Sequence, residues 1–111
     1  MDEADFDQVV EDALDELPKW AADALGNVVV LVENEDADDP DLLGVYVGIP
    51  LTERGHEPPL GPSLILIYRR PLVEMCESVA ELRDEIRITV LHEIGHHFGM
   101  DEDQLDELDY A

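Results

Sequence analysis

The chain has 111 residues, of which 45% are hydrophobic, and it sets 29 acidic residues against 6 basic ones for a formal net charge of −23. That is enough apolar material for one modest core, and the single expected domain spans residues 1–111. So negative a field repels phosphate backbones, which argues against nucleic acid as a partner, and it favours metal cations and basic peptides.

The first helix is expected from about Asp5 to Leu17, where Phe6, Val9, Val10, Ala13, Leu14 and Leu17 recur at helical spacing and acids fill the opposite face. Pro18 breaks it. Lys19 to Leu25 adds a short helical stretch ended by Gly26-Asn27, and the continuous run Val28 to Val32 reads as a buried strand. Glu33 to Asp41 is an acidic loop and the least ordered-looking stretch of the domain; a second strand follows over Leu43 to Val47, closed by Gly48. Residues 49–62 hold four prolines and two glycines and read as a long irregular loop bordering a site. A strand over Ser63 to Arg69 is stopped by Pro71. Ser78 and Glu81 form a capping box for the last long helix, which runs from Val79 to about Phe98 with Gly99 as its left-handed terminator. Asp103 to Asp109 adds a short closing helix.

No membrane span is expected, because no apolar run approaches the length of about 18 residues that a bilayer requires. The acidic start Met1-Asp2-Glu3-Ala4-Asp5 does not read as a secretory leader, and the lone Cys76 allows no intrachain disulfide, so a reduced cytoplasm fits best. The charge is uneven. Residues 1–41 carry fifteen acids against Lys19, residues 101–111 carry six acids and no base, and residues 42–100 carry eight acids and five arginines. One lysine among so many acids suits a salt-rich interior.

The chemistry is concentrated in His92-Glu93-Ile94-Gly95-His96. Two imidazoles four residues apart lie one turn apart on the same helical face, within reach of one metal ion, and the glutamate between them projects beside it as a candidate base. With His92 at 0°, His96 falls at about 40°, while Val79, Leu82, Ile86, Val90 and Ile94 fall between about 80° and 200°. The helix is therefore apolar over more than half its circumference and should pack under the sheet. Its strip of Glu81, Glu85, His92, His96 and Gly99 should face solvent or a cleft at the sheet edge. His97, near 140°, reads as a core or supporting imidazole. Trp20 and Phe6 read as core, Cys76 as a buried apolar residue, His56 as surface, and Tyr110 as a frayed terminus. A catalytic zinc takes three protein ligands and leaves one position open. The candidates for the third are Asp101, Glu102, Asp103, Asp106, Glu107, Asp109 and Tyr110.

The spacing His92-Glu93-x-x-His96-x-x-Gly99-x-x-Glu102 resembles the extended motif of the metzincin zinc peptidases, with Glu102 where that clan carries His or Asp. The chain as a whole, including Gly44-Val45-Tyr46-Val47-Gly48 and Asp101-Glu102-Asp103-Gln104-Leu105, is similar to a family of minimal zincin-like metallopeptidases of bacteria and archaea. The resemblance implies an α+β fold, a short mixed sheet packed on the C-terminal motif helix and an N-terminal amphipathic helix. It implies Zn²⁺ held by His92, His96 and Glu102, Glu93 as the general base, and a peptide or protein substrate cleaved by a monomer. Two other functions compete. One is a non-catalytic metal-binding or regulatory module of the same fold. The other is a metal-dependent endoribonuclease, which Glu93 and the net charge both oppose.

Overall fold

Asp2 starts the first helix: its carboxylate accepts the Asp5 backbone N–H at 2.8 Å. In the computed structural model, which describes residues 1–26, 28–48, 63–99 and 103, this helix, α1, spans Glu3–Asp15, two residues earlier at each end than the spacing predicts. α2 (Lys19–Ala24), β1 (Val28–Glu33), β2 (Gly44–Val47), β3 (Ser63–Tyr68), α3 (Arg69–Met75) and α4 (Val79–His97) follow. The class is α+β, as expected. Residue 103 is helical, while the rest of the predicted closing helix and the proline-rich 49–62 stretch, His56 included, lie outside the described residues.

The three strands form one mixed sheet in the order β1-β3-β2. β1 pairs with β3 in parallel, Val28 opposite Ser63 and Val32 opposite Ile67, and β2 pairs with β3 antiparallel, Gly44 opposite Ile67 and Val47 opposite Leu64. Ile65 and Ile67 of the central strand point inward and are fully buried. α4 lies against β2, β3 and α1. Phe6, Val9, Val10 and Ala13 of α1 meet Leu82, Ile86, Val90 and Ile94 of α4 in a single apolar cluster that also takes in Ile65 and Ile67 of the sheet. The orientation of the helix bearing the His pair is thus set by both the sheet and α1.

Four expectations change. β1 is an edge strand with one open face, so its apolar run alternates: Val28 is buried whereas Val29 and Leu31 are 41% and 43% exposed. α3 replaces the end of the predicted third strand. Pro71 does not stop the chain but sits buried in the first turn of α3, where its missing N–H would have had no helical partner in any case. Trp20 is 38% exposed rather than core, resting against Phe98 with ring centroids 6.2 Å apart. Val79, at the start of α4, is also exposed, because the sheet and α1 reach the helix only from Leu82 onward.

The acidic loop after β1 is held at several points. Asp36 accepts the backbone N–H groups of Asp38 and Asp39, and its other oxygen accepts from the Tyr68 hydroxyl at 3.2 Å. Arg70 pairs with Glu35 at 3.2 Å and with Glu74 at 2.6 Å, and donates to the carbonyl of Pro40. Burial pushes the Tyr68 phenol above its ordinary pKa, and Asp36 and Glu33 add to that shift. A stretch read from composition as the least ordered is in fact pinned by two residues far along the chain.

Candidate metal centre

α4 is fixed at both ends. Ser78 accepts the Glu81 backbone N–H at 3.1 Å, and the Glu81 carboxylate reaches back to the N–H of Glu77, one residue before the usual capping-box position. At the far end Phe98 donates its N–H to the carbonyls of Ile94 and Gly95, and Gly99 donates to His96 at 2.9 Å. Gly99 takes φ 82°, the left-handed terminator its position predicts. Between these caps the helix is buried at Leu82, Ile86, Val90, Leu91 and Ile94, while His92 and His96 are half-buried and face away from that core.

The two Nε2 atoms of His92 and His96 stand 3.2 Å apart, with ring centroids 4.8 Å apart at 75°. A tetrahedral zinc with bonds of about 2.0–2.1 Å separates two nitrogen ligands by roughly 3.3 Å, so the pair has the bite of one cation. Glu93 lies beside the pair. Its carboxylate, 6% exposed on the intervening residue, brings one oxygen into the same group, with all three donor atoms within 4.8 Å of one another. Two imidazoles with a carboxylate beside them suit a borderline-soft divalent ion. The cluster is compatible with a metal site.

A cavity of about 560 Å³ opens beside this cluster. One wall is α4, from Glu85 through Ile88 and Thr89 to His92, Glu93 and His96. The other is the approach to the sheet, Asp39 to Val45, including the start of β2. Among the described residues β2 is an edge of the sheet, and of the two edge strands it is the one that lines this cavity. The wall stands close because Gly44 has no side chain. A Cβ there would meet the Thr89 methyl at 2.7 Å and the Leu66 carbonyl at 3.0 Å. Gly44→Ala is therefore expected to push β2 off α4 and lower stability by about 1–3 kcal/mol in urea titration. A loss below a few tenths would mean that the two elements separate at little cost.

Behind the cluster, His97 is 2% exposed, in keeping with its predicted core role, and its Nδ1 lies 2.9 Å from the Tyr46 hydroxyl. That hydroxyl also lies 2.9 Å from Ser63 Oγ at the start of β3. Gly44 and Thr89, which line the cavity, and Tyr46 and Ser63, which lie behind it, have no site role in the sequence reading. Only the glycine left a signal, as an isolated Gly at the mouth of a strand. Of the predicted site residues, the structure brings together His92, Glu93 and His96. Glu102 and the alternative Asp101, with Asp106, Glu107, Asp109 and Tyr110, lie outside the described residues, and Asp103 is exposed.

The sequence model of the zincin-like metallopeptidases matches residues 25–111, everything from the end of α2 onward. The chain belongs to this family. A solved structure of a conserved hypothetical protein from Thermus thermophilus is similar over 97% of both chains, with a TM-score of 0.57 and 23% sequence identity, a likeness of fold. That likeness takes in nearly the whole chain, whereas the family match starts after α1. No curated protein matches. Among the described residues, no helix of this zincin-like chain is long and apolar enough to cross a membrane.

Proposed function

We propose that the protein is a zinc-dependent peptidase whose catalytic machinery is His92, Glu93 and His96. The observation that carries this is the convergence of two imidazole nitrogens and one carboxylate oxygen within 4.8 Å, at the mouth of a cavity walled by a sheet edge. His92 and His96 would hold the metal, and Glu102 would complete the set at the position the zincin motif gives it. When bound, zinc supplies Lewis acidity, bringing the pKa of a water towards about 7 and polarising the scissile carbonyl. Glu93 accepts the attacking water's proton and passes it to the departing amine nitrogen, a task that suits a carboxylate fixed beside the imidazoles and shielded from bulk solvent. An extended peptide adds to the open edge of β2, whose backbone groups set its register against the cluster. The reading includes a reduced, cytoplasmic setting, supported by the single cysteine.

Protein purified without chelators is expected to carry about one zinc per chain by elemental mass spectrometry. A preparation that is metal-free and takes up no added zinc would end this reading. Glu102→Ala is expected to weaken zinc about 10-fold or more relative to Asp101→Ala. Equal affinities would remove Glu102 as the third ligand.

A further inference from the structure

The metal pair has a mechanical weakness. His96 lies one residue from the end of α4, in the turn where the last four carbonyls of a helix lack intrahelical partners and where helices fray. Fraying there would separate His96 from His92. The backbone caps at Phe98 and Gly99 resist it from within the helix. A side-chain hydrogen bond also ties this turn to the sheet: Tyr46, on the strand that walls the cavity, meets His97 Nδ1 at 2.9 Å. The rings lie 5.6 Å apart at 60°. The same hydroxyl meets Ser63 Oγ on β3 at 2.9 Å. A hydroxyl has one proton, so Tyr46 donates to one neighbour and accepts from the other, and either assignment satisfies all three groups. Gly48 is bare where the network needs room, since a Cβ there would lie 2.8 Å from Ser63 Oγ and 3.1 Å from the Tyr46 hydroxyl.

We propose that Tyr46 is a positioning residue, which clasps the last turn of α4 through His97 and so holds His96 at ligand distance from His92. This rests on the metal reading above. The effect of Tyr46 passes through its bond to His97 to the neighbouring His96. If the clasp is lost, the competent arrangement becomes a smaller share of the metal-free ensemble, and apparent affinity falls by that share.

The test uses full-length protein with cobalt(II) as the probe, followed by its visible absorption, alongside hydrogen exchange of the metal-free protein. Tyr46→Phe keeps the ring and removes the hydroxyl. It is expected to weaken cobalt about 10-fold, to alter the absorption envelope, and to speed exchange at Phe98 and Gly99 more than in the middle of α4. Ser63→Ala also removes a hydrogen bond from that hydroxyl but leaves the bond to His97, so it should lower the melting temperature with cobalt affinity near wild type. A purely structural role would move both variants together, and equal cobalt affinities in the two would overturn the proposal. If Tyr46→Phe does not fold, His97→Phe breaks the same bond while filling the same space, and His97→Gln should recover part of the affinity. Wild-type protein that binds no cobalt would defeat the metal reading instead. The exchange comparison would still decide whether Tyr46 holds the turn.

Discussion

Glu93→Gln is expected to leave zinc affinity unchanged while kcat for peptide cleavage falls roughly 10²- to 10⁴-fold, the range that a positioned general base contributes. The substitution keeps shape and hydrogen-bonding capacity but removes the basic oxygen. Because Glu93 is 6% exposed, the exchange also takes a carboxylate out of a poorly solvated place, so folding stability should hold or rise. That combination of intact fold, intact metal and lost turnover separates a catalytic role from a structural one. KM should change little, since Glu93 acts on the water's proton and not on the peptide's backbone. Cleavage that persists at the wild-type rate in a metal-loaded variant would remove Glu93 as the base. The protein would then fit the non-catalytic member of the pair of functions that share this donor set.

Phe6→Ala is expected to cost about 3–5 kcal/mol in urea unfolding, a large share of the roughly 5–15 kcal/mol that holds such a domain together. Phe6 is fully buried in the first turn of α1 and packs in the cluster shared with α4. α1 has little else to hold it. At 13 residues it is marginal alone in water, it carries six acids, and Glu3, Asp7, Glu11 and Asp15 follow one another at i, i+4 as like charges. Its last turn has no basic residue to meet the helix dipole. Its helicity therefore comes from its apolar face, and the loss should be greater in low salt, where the acids repel one another unscreened. The melting temperature should fall by roughly 12–20 °C. A loss below about 1 kcal/mol would mean that α1 contributes little to holding the motif helix.

Much of this was legible in the sequence for definite reasons. α4 carries its start, its stop and its buried stripe in local residue choices: Ser78 and Glu81, Gly99, and Leu82, Ile86, Val90 and Ile94. Its His pair needs only helical spacing to be brought together. What escaped were features set by partners distant in the chain. The order of the acidic loop depends on Tyr68 and Arg70, thirty or more residues away. Composition alone reported only its charge. Pro71 was read as a stop because proline ends strands and starts helices with equal ease, and only the position of Leu72 in the core decides between them. The exposure of Val29 and Leu31 follows from β1 lying at the sheet edge with one face uncovered, and strand order is invisible to a run of apolar letters. Tyr46 looked like any strand residue until the sheet put it beside His97, fifty-one positions later.

The contacts of α4 with both the sheet and α1 also bear on how the protein is made. β1 must wait for a partner thirty-five residues downstream, Val28 for Ser63. α1 must wait for α4, which leaves the ribosome after every other element named here. Until then the cluster around Phe6 lacks Leu82, Ile86, Val90 and Ile94. Pairings so distant in sequence slow folding, because loop closure comes before the contacts that reward it. The nascent chain therefore spends its synthesis as a strongly acidic, uncollapsed polymer whose self-repulsion keeps it soluble. His92 and His96 arrive with the element that completes the core, so on the proposed reading the metal would be captured as folding finishes.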